Sequence, residues 1–417
     1  MTAQTENATM ESVEDFTHRA RTWVIANLPV LGDDSLSERE LQALLFDGGF
    51  AGIAMPSQYG GAGLTLRHQQ AFFDEAAAGH RVPRSFCVSI AMLGATLLET
   101  ASEVLKNRHL PRILRGDEQW IQLLSEPSGG SDMAAALTRL DRAGDDWVLN
   151  GAKMWSTSAT VADWGMCLAR TDFSVPKHAG LSMVCVPLKN VKGVTIAPIR
   201  QANGVEADFC QEFFDDVHIP ADHIVGEVNE GWKVAKALLA HERLAATGAA
   251  HGYGLADRFD GLGSAPSADP TALVKAAQRR RSTEGLRHQI ADAYIERKVA
   301  KFAGERIDTG IRIGALQASW GSVDKLHLGM NVPRESKVAL AVHGCDGVIW
   351  DGDEPMVGGA GEDWVVSRGV ALGGGSNEMQ RNLISEGLLG LPREPSVDTR
   401  IPFSEVLRSR RRPDGDA

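Results

Sequence analysis

The chain reads as an α+β protein in three parts: a helical N-terminal domain, a middle β-barrel-like domain and a C-terminal helical bundle. Three features of the sequence carry this. Apolar residues recur at helical spacing up to about residue 120 and again from 231 onward. Between them, short β-branched and aromatic runs are cut by Gly, Pro and Asp turns. The change of period falls near 119 and again near 228, which gives domains at 1–118, 119–228 and 229–395 and a tail at 396–417.

In the first part, Ser37-Glu38-Arg39-Glu40 starts a helix with a capping box. Leu41, Leu44 and Leu45 share one face, and Gly48-Gly49 ends it. The loop P-S-Q-Y-G-G-A-G-L at 56–64 has glycines that superficially suggest a dinucleotide-binding turn. The preceding A-G-I-A-M-P is too short and Pro-ended to be the first strand of a βαβ unit, so a Rossmann reading is rejected. Helices are expected at 65–78, 90–101 and 103–114.

The middle part opens with the apolar strand 121–124, followed by a polar turn in which Pro127, Gly129 and Gly130 shape the backbone and present amides with the Ser125 and Ser131 hydroxyls. Asp145-Asp146 turns into a second strand at 147–149. Asn150-Gly151 reads as a tight turn before a third segment, 153–157. Further strands are expected at 164–170, 181–188, 194–199 and 212–220. Long helices then cover 232–255, 272–310 and 317–344, with a flexible loop at 261–270. Gly373-Gly374-Gly375 opens a last helix, capped near Ser376, and a glycine-rich helix start of this kind can hold an anion or a carbonyl oxygen.

Composition narrows the class. With 417 residues and 43% hydrophobic content the chain can bury a sizeable core. A formal charge of -11 argues against nucleic acid as the main partner. The basic runs 279–281 and 408–412 read as a solvated helix end and a loose tail. Five scattered cysteines without a C-x-x-C pair indicate neither a disulfide framework nor a metal site. The acidic start and the lack of any apolar run near the ~20 residues of a membrane span point to a soluble cytoplasmic protein.

Three ordered blocks carry a resemblance. They are S-E-P-S-G-G-S-D at 125–132 with N-G-A-K-M-W-S-T at 150–157, then F-F-D-D-V-H-I-P at 213–220 leading to V-G-E-V-N-E-G-W, and finally G-G-G-S-N-E-M-Q-R-N-L-I-S-E-G-L-L-G-L-P-R-E at 373–394. Together they resemble the acyl-CoA dehydrogenase family over about residues 35–395. The resemblance implies that family's fold, ending in a four-helix bundle, with FAD as cofactor. It implies conversion of an acyl-CoA thioester to the trans-2-enoyl-CoA, as in fatty-acid β-oxidation. A base takes the Cα proton, hydride leaves Cβ for flavin N5, and an electron-transfer flavoprotein accepts the electrons.

By the same resemblance, Leu124 and Ser125 meet the flavin pyrimidine edge, Gly130 and Ser131 the pyrophosphate, and Trp155 and Thr157 the isoalloxazine. Ser376 and Glu378 approach the nucleotide end, the Gly374 amide donates to the thioester carbonyl, and Ser131 and Arg243 reach substrate. A thioester Cα–H is too weak an acid for a carboxylate in water, so the base must be an acid in an apolar pocket. Many family members carry it as the Glu of Y-E-G-T at the C-terminal Gly turn, but Gly374 stands there. Other branches supply it from the first C-terminal helix at a Glu-Arg pair, here Glu242-Arg243 in L-L-A-H-E-R-L. Glu242 is therefore the expected base, weighed against a plain solvated helix carboxylate. That branch is associated with long or branched acyl chains, so a bulky acyl group is preferred.

One family feature is missing. No Arg-x-x-Phe-Gly run follows the first C-terminal helix, where many members use it to grip a neighbouring subunit's flavin diphosphate, and Arg281 is the only substitute suggested. The family implies a homo-oligomer, tetramer or dimer, and the missing run keeps a hetro-oligomeric subunit open beside it. A flavin-dependent monooxygenase or oxidase of the same fold is the other alternative, disfavoured because a hydroxylase needs no Cα base.

Overall fold

The computed structural model describes residues 10–31, 35–76, 83, 86–206, 209–246, 269–279, 284–350, 359–396 and 398–410. Helices α1 (Val13–Leu31), α2 (Glu38–Asp47), α3 (Leu66–Ala71), α4 (Ala95–Thr100) and α5 (Glu103–Arg115) form the first part. The capping box at Ser37 and Glu40 is present, and Gly48 caps the other end of α2. The glycine loop forms no nucleotide turn. It holds a short helical turn whose Tyr59 is buried and donates to Glu103 at 2.8 Å.

The middle part is an eight-stranded sheet in the order β6-β7-β3-β2-β4-β5-β8, with β1 paired to β4. The strands are β1 (Trp120–Leu123), β2 (Arg139–Ala143), β3 (Asp146–Thr157), β4 (Trp164–Arg170), β5 (Leu181–Pro187), β6 (Val194–Pro198), β7 (Phe209–Ile219) and β8 (Ile224–Val225). The Asp145-Asp146 turn forms the β2–β3 hairpin, with Arg139 opposite Asn150. The turn expected at Asn150-Gly151 does not form, because β3 runs through it. Gly151 instead sits at a register shift against β7 with φ of 147°. A Cβ there would come within 2.7 Å of the Thr138 backbone, so the glycine serves a close strand approach.

The C-terminal part contains α6 (Gly231–Ala246), α7 (Pro270–Arg279), α8 (Glu284–Arg312), α9 (Gly321–His343), α10 (Ala360–Val370) and α11 (Asn377–Leu383). The expected helix beyond 246, most of the 261–270 loop and Arg281 lie outside the described residues. Apolar residues of α4, α5, β1, β4, β5 and α6 share one core, so the three parts meet where α6 leaves the sheet. The tail is not loose over its described length. Residues 403–410 form helix α12 (Phe403–Arg410), with Phe403 and Val406 buried. All five cysteines are free. No helix among the described residues is long and apolar enough to cross a membrane.

Candidate active site

Val234, Ala235, Leu238 and Ala245 on α6 are buried in the shared core. Glu242 lies four residues past Leu238 and three before Ala245, so helical spacing places a carboxylate on this apolar face. Burial raises its pKa, against a hydrogen bond from the Gln122 side chain and the charges of Arg243 and Lys325. That net upward shift is what a base for a weak carbon acid requires.

The C-terminal Gly turn reaches the same spot. A Cβ built on Gly374 would lie 3.6 Å from Glu242 Oε1 and 3.2 Å from Lys325 Cε. Gly374 and Gly375 have φ of 67° and 87°, and Gln380 Nε2 donates to both of their carbonyls, at 3.1 and 3.3 Å. Those bonds turn the carbonyls toward Gln380, while the Gly374 amide makes no hydrogen bond among the described residues. A free amide beside a carboxyl of raised pKa can polarise a carbonyl while the carboxyl takes a proton from the adjacent carbon.

The structure brings in two residues that the sequence reading missed. Gln122 is a lone polar residue in the otherwise apolar strand W-I-Q-L, which was the available signal. Lys325 on α9 donates to the Val370 carbonyl at 2.7 Å, tying α9 to the end of α10 just before the glycines. Burial lowers its pKa and Glu242 raises it. Nothing in its local pattern marks it.

The polar turn stands at the end of β1. The Ser125 carbonyl accepts from Met154 N at 2.9 Å, joining this turn to β3 beside Trp155. Glu126 is buried and accepts from Lys153 Nζ at 2.8 Å, Thr138 N at 3.0 Å and Leu137 N at 2.7 Å. Burial pushes the Glu126 carboxyl up, but Lys153 and the two amides outweigh it and hold it below the ordinary value. A Cβ on Gly130 would sit 3.2 Å from Ser125 Oγ. Gly130 and Ser131 are exposed, and their amides make no hydrogen bond among the described residues. Trp155 lies at a β3 bulge with φ of 68° and is 53% exposed, with exposed Thr157 two residues on. A large exposed indole beside free amides and hydroxyls is what a flat, anionic, hydrogen-bonding cofactor needs, so these residues fit FAD.

Ser376 and Glu378 are less engaged with this surface. The Ser376 hydroxyl caps α11 by accepting from Met379 N at 3.3 Å, and exposed Glu378 pairs with Arg381. Arg243 is partly buried, its pKa lowered by burial and raised by Glu242.

Residues 4–117 match the acyl-CoA dehydrogenase N-terminal domain and residues 122–217 the acyl-CoA dehydrogenase middle domain. The chain is 32% identical over 407 residues to acyl-CoA dehydrogenase IpdE1 of Mycobacterium tuberculosis, covering 92% of this chain and 99% of that one. It is 30% identical over 238 residues to cyclohexane-1-carbonyl-CoA dehydrogenase of Syntrophus aciditrophicus, covering 56% and 62%. Among solved structures, the Tcur3481-Tcur3483 steroid ACAD aligns with a TM-score of 0.68 at 26% identity, covering 92% of this chain and 98% of that one.

Proposed function

The chain belongs to the acyl-CoA dehydrogenase family of oxidoreductases, and from that premise we propose that it oxidises a bulky acyl-CoA to the trans-2-enoyl-CoA with Glu242 as the base. One observation carries the assignment. The two backbone positions from which the family supplies its carboxylate, the helix and the Gly turn, converge here, and Glu242 Oε1 lies 3.6 Å from where a side chain at 374 would begin. A carboxyl from either position would serve the same substrate carbon, and here the helix provides it.

In this reading the Gly374 amide donates to the thioester carbonyl, which acidifies Cα–H, and Glu242 accepts that proton. Gln122 donates to the carboxylate and fixes its orientation. Leu124, Ser125, Gly130, Ser131, Trp155 and Thr157 hold FAD, which supplies the hydride acceptor when bound. An electron-transfer flavoprotein in the cytoplasm would be the acceptor that such a cofactor calls for. Ser131 and Arg243 border the substrate path, and Ser376 and Glu378 the nucleotide end. The preference for a bulky acyl group is supported by relatives named for cyclohexane-1-carbonyl-CoA and for steroids. Assembly through the C-terminal helices, with a second copy or a related chain, completes the reading.

The test is anaerobic titration of the purified yellow protein with a panel of acyl-CoAs, for wild type and Glu242→Gln. The wild-type visible flavin band should bleach with at least one acyl-CoA. In the variant the bleaching rate should fall by about a hundredfold or more while the ligand still binds. Equal rates would remove Glu242 as base, and a yellow protein that no acyl-CoA bleaches would favour the oxygenase alternative.

A further inference from the structure

The C-terminal segment returns to the back of the cofactor turn. Arg170, at the end of β4, is fully buried, and its guanidinium donates to the carbonyls of Ala134 (2.5 Å), Ala136 (3.0 Å) and Lys177 (3.0 Å). It therefore grips the backbone that directly follows S-E-P-S-G-G-S-D. The nearer of two rings over it is Phe403 of α12, whose centroid lies 3.9 Å from the guanidinium carbon, with Phe173 farther off at 5.6 Å and stacked on Phe403. Burial lowers the Arg170 pKa to about 10, so it stays charged at neutral pH and the ring faces a desolvated cation.

Two further contacts tie the same partners. Buried Lys177 donates at 2.9 Å both to Asp132, the last residue of the motif, and to Asp398 in the segment leading to α12. Phe403 N and Ser404 N donate at 2.9 Å to the carbonyls of Val175 and Phe173. Leu407, one turn along α12, joins Leu124, Gly129, Asp132 and Met133 in lining one cavity behind the turn.

We propose that residues 398–410 act as a latch for the cofactor turn: Phe403 and Asp398, acting through Arg170 and Lys177 and not as ligands of their own, hold 129–136 in the shape that binds FAD. The proposal rests on the reading that this turn and Trp155 hold FAD. Without the ring, Arg170 regains freedom and water reaches its face, so its three carbonyl bonds no longer fix residues 134–136. The exposed amides of Gly130 and Ser131 then sample orientations unsuited to a diphosphate.

The test uses the full chain, with Phe403→Ala and the milder Phe403→Leu, and FAD itself as probe. The Kd of the apoprotein for FAD, read from flavin fluorescence, should rise by about tenfold in Phe403→Ala and less in Phe403→Leu. Amide hydrogen exchange of the apoprotein at 129–137 should speed up in step with the loss of affinity, more in Phe403→Ala than in Phe403→Leu, while the β2–β3 hairpin keeps wild-type protection. Wild-type affinity and exchange in both variants would overturn the latch, and so would a loss of protection spread evenly over the sheet, which marks a merely structural role. A wild type that binds no FAD would instead overturn the cofactor reading, and the exchange comparison would still decide whether α12 orders the turn.

Discussion

Glu242 is the only charged side chain on an α6 face whose other members, Ala235, Leu238 and Ala245, are buried. Its shift is a balance in which burial raises the pKa and Gln122, Arg243 and Lys325 oppose it. Removing one cation therefore has a fixed sign. In Lys325→Met the Glu242 pKa rises further, so the base becomes ionised only at higher pH. The acid limb of the kcat/KM profile should move up by about one pH unit, while rates above that limb recover. Lys325→Arg should leave the limb in place. An unmoved limb in the Met variant would show that Lys325 does not couple to the base. Glu242 was legible as a candidate because a Glu amid apolar helix neighbours coincides with a glycine at the position where the family resemblance places the alternative base. Lys325 was not, because its position follows from α9 crossing behind the Gly turn, a contact between residues far apart in the chain.

Strand β3 shows how an element serves the site. Its bulge at Met154 to Ser156 turns Trp155 outward with positive φ, while Lys153 and Ser156 point inward to Glu126 and Glu212. Glu212 is fully buried, and burial pushes its pKa up to about 7 against the Ser156 hydroxyl and Lys153. The unfolded chain ionises this group near its ordinary value of 4.5, but the folded chain keeps it protonated until about 7. Stability present below 4.5 is thus lost as pH rises through 7, by on the order of 3 kcal/mol. Glu212→Gln keeps a hydrogen-bonding partner for Ser156 and does not titrate. Thermal unfolding at pH 5 to 8 should therefore show a falling wild-type Tm and a flatter variant, and parallel slopes would refute the assignment. The strand itself was only half legible. The hairpin at Asp145-Asp146 was, but Asn150-Gly151 carries the composition of a turn and serves a close approach to Thr138, a distinction set by the neighbouring strand.

At the level of the whole chain, the α, β, α order was legible because hydrophobic period changes from helical to alternating and back. Helix α12 was not, since its eight residues follow a polar, proline-containing stretch and owe their order to Arg170 at the end of β4 and to Val175 in the connection between β4 and β5. The same scale exposes a surface that the described residues leave uncovered. Ile295, Val299 and Phe302 recur at i, i+4 and i+7 on α8, each more than half exposed. An exposed apolar stripe at helical spacing marks an interaction face. If a second copy covers it, light scattering of the purified protein should give a mass at least twice 44.8 kDa. Phe302→Asp places a charge in the covered stripe, whose burial without a partner is unfavourable, and should shift the protein toward a single chain with its far-UV circular dichroism intact. Unchanged mass in the variant would exclude α8 from the interface. A wild type that is already a single chain would instead point to a different, related chain as the stripe's partner, and mixing with that chain should then cover it.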